Sequence, residues 1–222
     1  MTQKQWFSAT LIGVLLVIGL SFSTASAQTD KKAVQERVMM VLKAYEYKTN
    51  PELWKRWGLE TVNDILSEIA LDISRKTRLR TRAALALSEI PTDRTKKTLR
   101  ALISRKETPR GVRRQALYSM AIAFPDSAFV PLRDQLREGD VHIREAAALA
   151  LVHVRDKSVE LLLGYYLQHE KNMTVRAAVE RALKMRSKLQ KKPQEPYKLP
   201  HHPIPTGTNT DSLTGPDQRD KL

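Results

Sequence analysis

The segment Asp140-Val141-His142-Ile143-Arg144-Glu145-Ala146-Ala147 decides the fold, because shorter versions of it recur along the chain. Each version has an apolar residue, an arginine, and small or apolar residues from the third position after the arginine onward. The other copies are Leu79-Arg80-x-x-Ala83-Ala84, Val112-Arg113-x-x-Ala116-Leu117 and Val175-Arg176-x-x-Val179. Successive arginines stand 33, 31 and 32 residues apart. The chain therefore contains a tandem repeat.

Each copy of this phrase opens a stretch with helical periodicity. In the third copy the apolar side chains fall at helical spacing, at Ile143, Ala146, Ala147, Ala150, Leu151 and Val154. Alanine on such a face allows two helix axes to approach closely, which is typical of a packing helix. A second helical stretch precedes each phrase, at Val62–Ile73, Leu99–Ile103, Phe129–Leu136 and Val159–Leu167. The repeat unit is predicted to be two antiparallel helices.

Turn-forming residues separate the predicted helices. Residues typical of helix starts fall between one pair and the next, at Pro91, Asp93, Pro125, Asp126 and Asp156. Gly139-Asp140 and Asn172 mark turns inside a pair. In the first two copies, Lys76 and Pro109 stand where the third copy has Asp140. Those two turns are therefore expected to be irregular.

Over residues 60–190 this pattern resembles the short HEAT-like repeats of the bacterial HEAT and phycobilisome-lyase-type superfamily. The resemblance is clearest in Asp140–Ala147 and next in Asn172–Ala178. It implies an all-α, right-handed α-solenoid of about four helix pairs, of the armadillo-like helical kind. In such repeats the arginine usually packs along the turn and bonds to neighbouring carbonyls or acids. The resemblance thus implies a structural role for Arg80, Arg113, Arg144 and Arg176.

The two ends of the chain differ from the repeats. Lys4, the apolar run Trp6–Phe22 and Ala25-Ser26-Ala27 have the order of a secretory signal peptide. We expect cleavage after Ala27 and a periplasmic or secreted protein. The alternative is an uncleaved segment that anchors a periplasmic solenoid in the inner membrane. The chain has no cysteine, so lipid attachment through cysteine, disulfides and cysteine metal sites are excluded.

The domain organisation follows from these segments. Residues 1–27 form the predicted signal peptide, 28–58 an N-terminal helical cap, 59–192 the repeats, and 193–222 a proline-rich tail. The cap contains a predicted helix over Ala33–Tyr47 and the aromatic residues Trp54 and Trp57, which are interpreted as cap packing. The tail has six prolines and few apolar residues. It is predicted to be disordered.

Positive charge is concentrated in one part of the chain. The formal net charge is +14, and residues 75–114 hold fourteen basic residues against three acidic ones. Residues 115–174 hold six basic and eight acidic residues. An excess of this size in one segment favours an anionic partner, such as an acidic protein or the phosphates of an envelope component.

The residues expected to bind this partner are bases that the repeat does not require. They lie in the two turns inside the first two pairs, at Arg75, Lys76, Arg78, Arg105, Lys106 and Arg110. A solvated basic edge that aids solubility is the simpler interpretation of the same residues. The concave face formed by the second helices is the other candidate surface.

Catalytic patterns are missing from the sequence. There is no cysteine and no G-x-S-x-G motif. His142 and His153 stand 11 residues apart, about 16 Å along a helix, which is too far to share a metal ion. We therefore expect a binding protein without enzymatic activity, cofactor or metal. A lyase-like or accessory subunit of an envelope enzyme remains an alternative, as does nucleic-acid binding through residues 75–114, although export argues against nucleic acid.

Overall fold

The structure, a computed structural model, describes residues 30–48 and 50–191. This part of the chain consists of helices and turns, and no β-strand occurs within it. The protein is therefore all-α, which confirms the predicted class. No helix among the described residues is long and apolar enough to span a membrane. The predicted signal peptide, residues 1–27, and the predicted tail, residues 193–222, lie outside the described residues.

Ten α-helices are described, followed here in chain order. The first, α1, covers residues 30–43. The others are α2 (Pro51–Arg56), α3 (Leu59–Leu71), α4 (Thr77–Leu87), α5 (Asp93–Ser104), α6 (Arg110–Ala123), α7 (Phe129–Gln135), α8 (Val141–Ala150), α9 (Ser158–His169) and α10 (Met173–Lys191). One turn of 3-10 helix, Leu151–His153, continues from the end of α8.

The helices pack as pairs. Helix α3 packs on α4, α5 on α6, α7 on α8, and α9 on α10. The second members of the pairs also pack on one another in chain order, so that α4 contacts α6, α6 contacts α8, and α8 contacts α10. Each of these second helices carries one copy of the repeated phrase.

Alanine makes the close packing of the second helices possible. Ala83 and Ala84 of α4 and Ala146 and Ala147 of α8 are fully buried. Near the helix starts, a Cβ at Gly111 of α6 would lie 4.0 Å from Thr77 Cγ2 of α4, which is an ordinary van der Waals distance. The starts of α4 and α6 therefore lie side by side.

Helix α1 packs on the first pair through Val38 and Leu42, both fully buried. The sequence predicted that this helix ends at Tyr47, but in the structure it ends at residue 43. Arg82 of α4 donates hydrogen bonds from Nη1 to the carbonyls of Leu42, at 2.7 Å, and Ala44, at 2.6 Å. The guanidinium thus satisfies carbonyls that the next helical turn would otherwise bind.

Two other predicted boundaries differ from the structure for local reasons. Helix α3 ends at Leu71 and not at Ile73, since Asp72 Oδ1 accepts hydrogen bonds from the backbone N–H and the hydroxyl of Ser74. Ile73 is consequently left in the turn, where it is 75% exposed. Helix α5 begins at Asp93, well before the predicted Leu99, because Thr92 caps it by accepting the backbone N–H of Thr95.

Candidate anion-binding edge

The turns inside the four pairs lie along one edge of the protein, which we call the turn edge. It consists of turn 1 (residues 72–76), turn 2 (105–109), turn 3 (136–140) and turn 4 (170–172). Turns 1 and 2 are neighbours because the starts of α4 and α6 abut. Arg110 Nε donates to Asp140 Oδ2 at 2.7 Å, and Arg144 Nε to Glu170 Oε2 at 3.1 Å. These two ion pairs connect turn 2 to turn 3 and turn 3 to turn 4.

Three of the four repeat arginines bind carbonyls at the end of the first helix of their own pair or in the turn that follows it. Arg80 Nε donates to the Ala70 carbonyl at 3.0 Å, and Arg113 Nε to the Ile103 carbonyl at 2.8 Å. Arg144 Nη1 donates to the Glu138 carbonyl at 2.8 Å. Such carbonyls have no partner within their own helix. The arginine therefore fastens one helix of the pair to the other.

The fourth repeat arginine lies in a different environment. Arg176 is 48% exposed, and its closest ionic partner is Glu180 on the same helix, at 4.0 Å. An exposed pair of this kind contributes little to stability. The arginine of the repeated phrase thus bonds to main-chain carbonyls in three copies and is exposed in the fourth. The sequence alone does not distinguish these two cases.

Arg113 and Arg144 also bind acids of the following turn. Arg113 Nη2 donates to Glu138 Oε2 at 2.7 Å, and only 9% of the Arg113 side chain is exposed. Burial raises the pKa of Glu170, but hydrogen bonds from Arg144 and from the backbone N–H of Asn172 outweigh it, and the pKa of this carboxyl is lowered overall. Glu138 and Glu170 therefore compensate the arginine charge at turns 3 and 4.

The six bases expected to bind a partner divide into two groups. Arg75 pairs with Asp72 at 3.1 Å, Arg110 pairs with Asp140, and Arg78 Nη2 donates to the Lys43 carbonyl at 3.4 Å. The other three have exposed side chains that form no hydrogen bond or ion pair within the described part of the chain: Lys76, Arg105 and Lys106. The structure places these three in turns 1 and 2.

The helix starts reinforce this difference between the two ends of the edge. Asp140 caps α8 by accepting the backbone N–H of His142, at 2.8 Å. Lys76 and Pro109, at the corresponding positions of α4 and α6, provide no side-chain cap. The uncapped N–H groups add partial positive charge to turns 1 and 2. The helix starts thus favour a more positive potential at turns 1 and 2 than at turn 3.

An open cavity of about 560 Å³ lies between α1 and turn 1. Four basic residues line it together with Ser74 and two apolar side chains, and the full set is Met39, Lys43, Ser74, Arg75, Lys76, Arg78 and Leu79. Sequence reasoning missed Lys43, because α1 lies outside the repeats. The only signal for it was the spacing of Met39, Met40 and Lys43 along one side of an amphipathic helix.

A second cavity, of about 730 Å³, lies between turn 3 and α9. Arg144 and Glu170 line it, but they are paired with each other. Tyr165 and His169 stack in the same cavity with ring centroids 4.2 Å apart, and His169 Nδ1 lies 2.8 Å from the Tyr165 carbonyl. Because a carbonyl only accepts, Nδ1 carries a proton. This cavity has charges of both signs, in contrast to the cavity at turn 1.

The remaining residues singled out in the sequence lie in the cap or beside turn 3. Trp54 is fully buried and donates from Nε1 to Glu89 Oε2 at 2.8 Å. Its ring packs edge-on against Trp57, with centroids 5.8 Å apart. His142 lies 3.8 Å from Glu145. No group of three or more potential metal ligands was found among the described residues.

Comparison with known proteins gives no family assignment. No family model matches the sequence, and no match was found among curated proteins. The resemblance to HEAT-like repeats therefore remains a proposal, supported by the repeated residues themselves.

Proposed function

We propose that this chain is an exported, non-enzymatic scaffold that binds an anionic partner through turns 1 and 2. In this proposal the four helix pairs form a right-handed solenoid of HEAT-like repeats, and α1 and α2 cover its N-terminal end. The pairwise packing and the contacts between successive second helices support this architecture. Solenoids of this kind offer extended surfaces for binding without a reactive centre.

One observation carries the proposed function. Lys76, Arg105 and Lys106 are exposed on adjacent turns and have no acidic partner within the described residues. Neighbouring like charges repel one another, and an anionic partner removes this cost. Turns 3 and 4 also carry exposed bases without a partner in the described part of the chain, Arg137 and Lys171, but these turns contain Glu138, Asp140 and Glu170 as well. The formal charge is therefore −1 at turn 3 and 0 at turn 4, against +1 at each of turns 1 and 2. Turns 1 and 2 are thus the part of the turn edge that has an excess of positive charge.

The chemistry of the described residues favours binding over catalysis. In the larger cavity, Arg144 and Glu170 neutralise each other. His169 uses Nδ1 on a backbone carbonyl of its own helix. Neither arrangement places a base beside a nucleophile, which acyl transfer and similar reactions require.

Replacing the three unpaired bases together tests this function. We expect the Lys76→Gln/Arg105→Gln/Lys106→Gln variant to elute from a heparin column at clearly lower salt than the wild type, since it loses the unpaired part of the positive field. Each substitution should change the free energy of unfolding by no more than about 0.5 kcal/mol relative to the wild type, because exposed residues contribute little to folding.

A matched variant controls for the loss of net charge. Lys97, Arg100 and Lys184 are also exposed and unpaired within the described residues, but they lie on α5 and α10, away from turns 1 and 2. Their replacement by Gln should change retention much less. Equal loss of retention in both variants would show a general charge effect and would contradict binding at turns 1 and 2.

Export is the part of the proposal that depends on the N-terminal sequence. If Ala25-Ser26-Ala27 is the cleavage site, the mature chain begins at Gln28. Intact-mass measurement of protein from the envelope fraction decides between cleavage and retention. A membrane-associated protein that retains residues 1–27 would replace the free scaffold with an anchored one.

A further inference from the structure

The cavity at turn 1 has a lining of unusual composition. Lys43, Arg75, Lys76 and Arg78 surround it, and none of its lining residues is acidic. Arg75 uses Nε on Asp72, and Arg78 uses one Nη on a carbonyl. Because a guanidinium has five N–H donors, both arginines retain free donors. The ammonium groups of Lys43 and Lys76 have no partner within the described part of the chain. The cavity can therefore offer several charge-assisted hydrogen bonds to one compact anion.

The same cavity has an apolar component, which a soluble anion would not require. Met39 and Leu79, both half-buried, line it alongside the bases. Large apolar side chains next to lining residues in the sequence are also exposed: Met40 is 73% exposed and Ile73 is 75% exposed. Met40 stands three positions before Lys43 on α1, and residues at this spacing are neighbours on a helix surface. Exposed apolar side chains thus accompany the bases at turn 1.

Turn 2 provides an internal comparison. Its exposed residues Arg105, Lys106 and Glu107 are all charged. The apolar side chains are therefore a property of turn 1 and not of the whole basic region. Bases beside exposed apolar side chains are typical of protein surfaces that dock on lipid, where the bases meet anionic headgroups and the apolar groups enter the headgroup boundary.

We infer that the cavity at turn 1 takes the phosphate headgroup of an anionic lipid, with Met40 and Ile73 entering the lipid layer beside it. This inference rests on the proposed function, because it identifies the anionic partner of turns 1 and 2 as a lipid surface. Lys43, Lys76 and the free donors of Arg75 and Arg78 contact the phosphate, while Met39 and Leu79 contact the adjoining carbon chain.

Vesicle binding tests the inference on the mature chain. We expect cosedimentation with phosphatidylcholine vesicles that contain about 30 mol% phosphatidylglycerol and not with vesicles of phosphatidylcholine alone. The Met40→Ser/Ile73→Ser variant keeps every charge, and its vesicle affinity should fall about tenfold while its retention on heparin stays unchanged. The Lys43→Gln/Lys76→Gln variant should lose both vesicle binding and part of its retention on heparin.

Two further measurements separate the possible outcomes. The Lys97→Gln/Arg100→Gln variant loses the same charge on α5 and should keep most of its vesicle binding. Inorganic phosphate added in excess should compete weakly, because it lacks the carbon chain. Unchanged vesicle binding by Met40→Ser/Ile73→Ser would overturn the lipid inference, as would retention on heparin without binding to anionic vesicles. In both cases the proposed anion binding would stand. Failure of the wild-type protein to bind heparin would instead contradict the proposed function itself.

Discussion

Arginine side chains act in two ways on the turn edge. Arg80 and Arg113 are buried and bind main-chain carbonyls ten residues before them in the sequence. Arg105, by contrast, is exposed and unpaired within the described residues. Burial and a carbonyl partner make an arginine part of the fold, whereas exposure without a partner leaves its charge available for binding. The same residue type thus has a structural or a binding role according to its position in the turn.

The first prediction compares two arginines of the repeated phrase. We expect Arg113→Ala to lower the free energy of unfolding by about 2–3 kcal/mol, because it leaves the Ile103 carbonyl, Gln135 and Glu138 without their hydrogen bonds. Arg176→Ala should change it by less than about 0.5 kcal/mol, since that side chain is half-exposed. Urea denaturation measures both, and similar losses would contradict the difference in role.

The second prediction concerns pH. The pKa of Glu170 is lowered in the folded protein by its bonds to Arg144 and Asn172, despite a rise caused by burial. A lowered folded pKa contributes stability that is present above the unfolded pKa and lost as the pH falls through the folded pKa. We therefore expect Glu170→Gln to destabilise the protein at neutral pH by about 1–3 kcal/mol.

The same variant should lose less stability than the wild type on acidification from about pH 5 to pH 2. Thermal unfolding across this range measures the slope. The Glu180→Gln variant is the control, because Glu180 is 59% exposed and lies 4.0 Å from Arg176. Parallel pH profiles for Glu170→Gln and the wild type would show that Glu170 has no part in the acid sensitivity.

At the scale of the helix, buried alanine determines how closely successive pairs pack. Helix α8 contacts both α6 and α10, and Ala146, Ala147, Ala148 and Ala150 of α8 are all fully buried. A larger side chain at these positions would push the neighbouring helices apart. The repeat length therefore matters less to packing than the small size of the residues on this face.

A single enlargement tests this dependence. We expect Ala147→Leu to lower the free energy of unfolding by about 1–3 kcal/mol through overpacking. Ala177→Leu on α10 is the matched control, because Ala177 is exposed, and its effect should stay within about 0.5 kcal/mol. Urea denaturation again provides the measurement. Equal effects would mean that the space around Ala147 can accommodate the larger side chain.

The helices were more predictable than the site, for physical reasons. Periodic small and apolar residues indicate helices directly, and the all-α class is confirmed. Boundaries depended on single side chains such as Thr92 and Asp72, whose hydrogen bonds begin or end a helix. The cavity at turn 1 depends on Lys43 of α1 meeting Arg78 of α4, residues 35 apart in the sequence. No local pattern contains that contact.

At the scale of the whole molecule, the pairs differ in charge although they share a backbone plan. Turns 1 and 2 have unpaired bases, whereas Arg110–Asp140 and Arg144–Glu170 pair across turns 2 to 4. The described helix pairs therefore share one backbone arrangement, but one end of it is strongly basic. Turns 3 and 4 also have one exposed, unpaired base each among the described residues, Arg137 and Lys171, but the acidic residues Glu138, Asp140 and Glu170 in the same turns offset their charge.

The fourth prediction concerns the proline-rich residues 193–222. Their composition offers few side chains for a core. We expect a chain that ends at Lys192 to melt within about 2–4 °C of the full chain, the shift that 1 kcal/mol produces in a protein of this size. Thermal unfolding followed by circular dichroism measures the difference. A larger drop would show that this segment stabilises the helices.

The contacts between successive pairs also have a kinetic consequence. In α1 eight of the fourteen residues are exposed, whereas in α6, on which α4, α5 and α8 all pack, three of fourteen are exposed. Segments with fewer contacts open more readily, so amide protons of α1 should exchange with solvent faster than those of α6. Since α1 forms one wall of the cavity at turn 1, a ligand bound there would slow that exchange. Helix α1 would then change from a readily exchanging segment to a protected one.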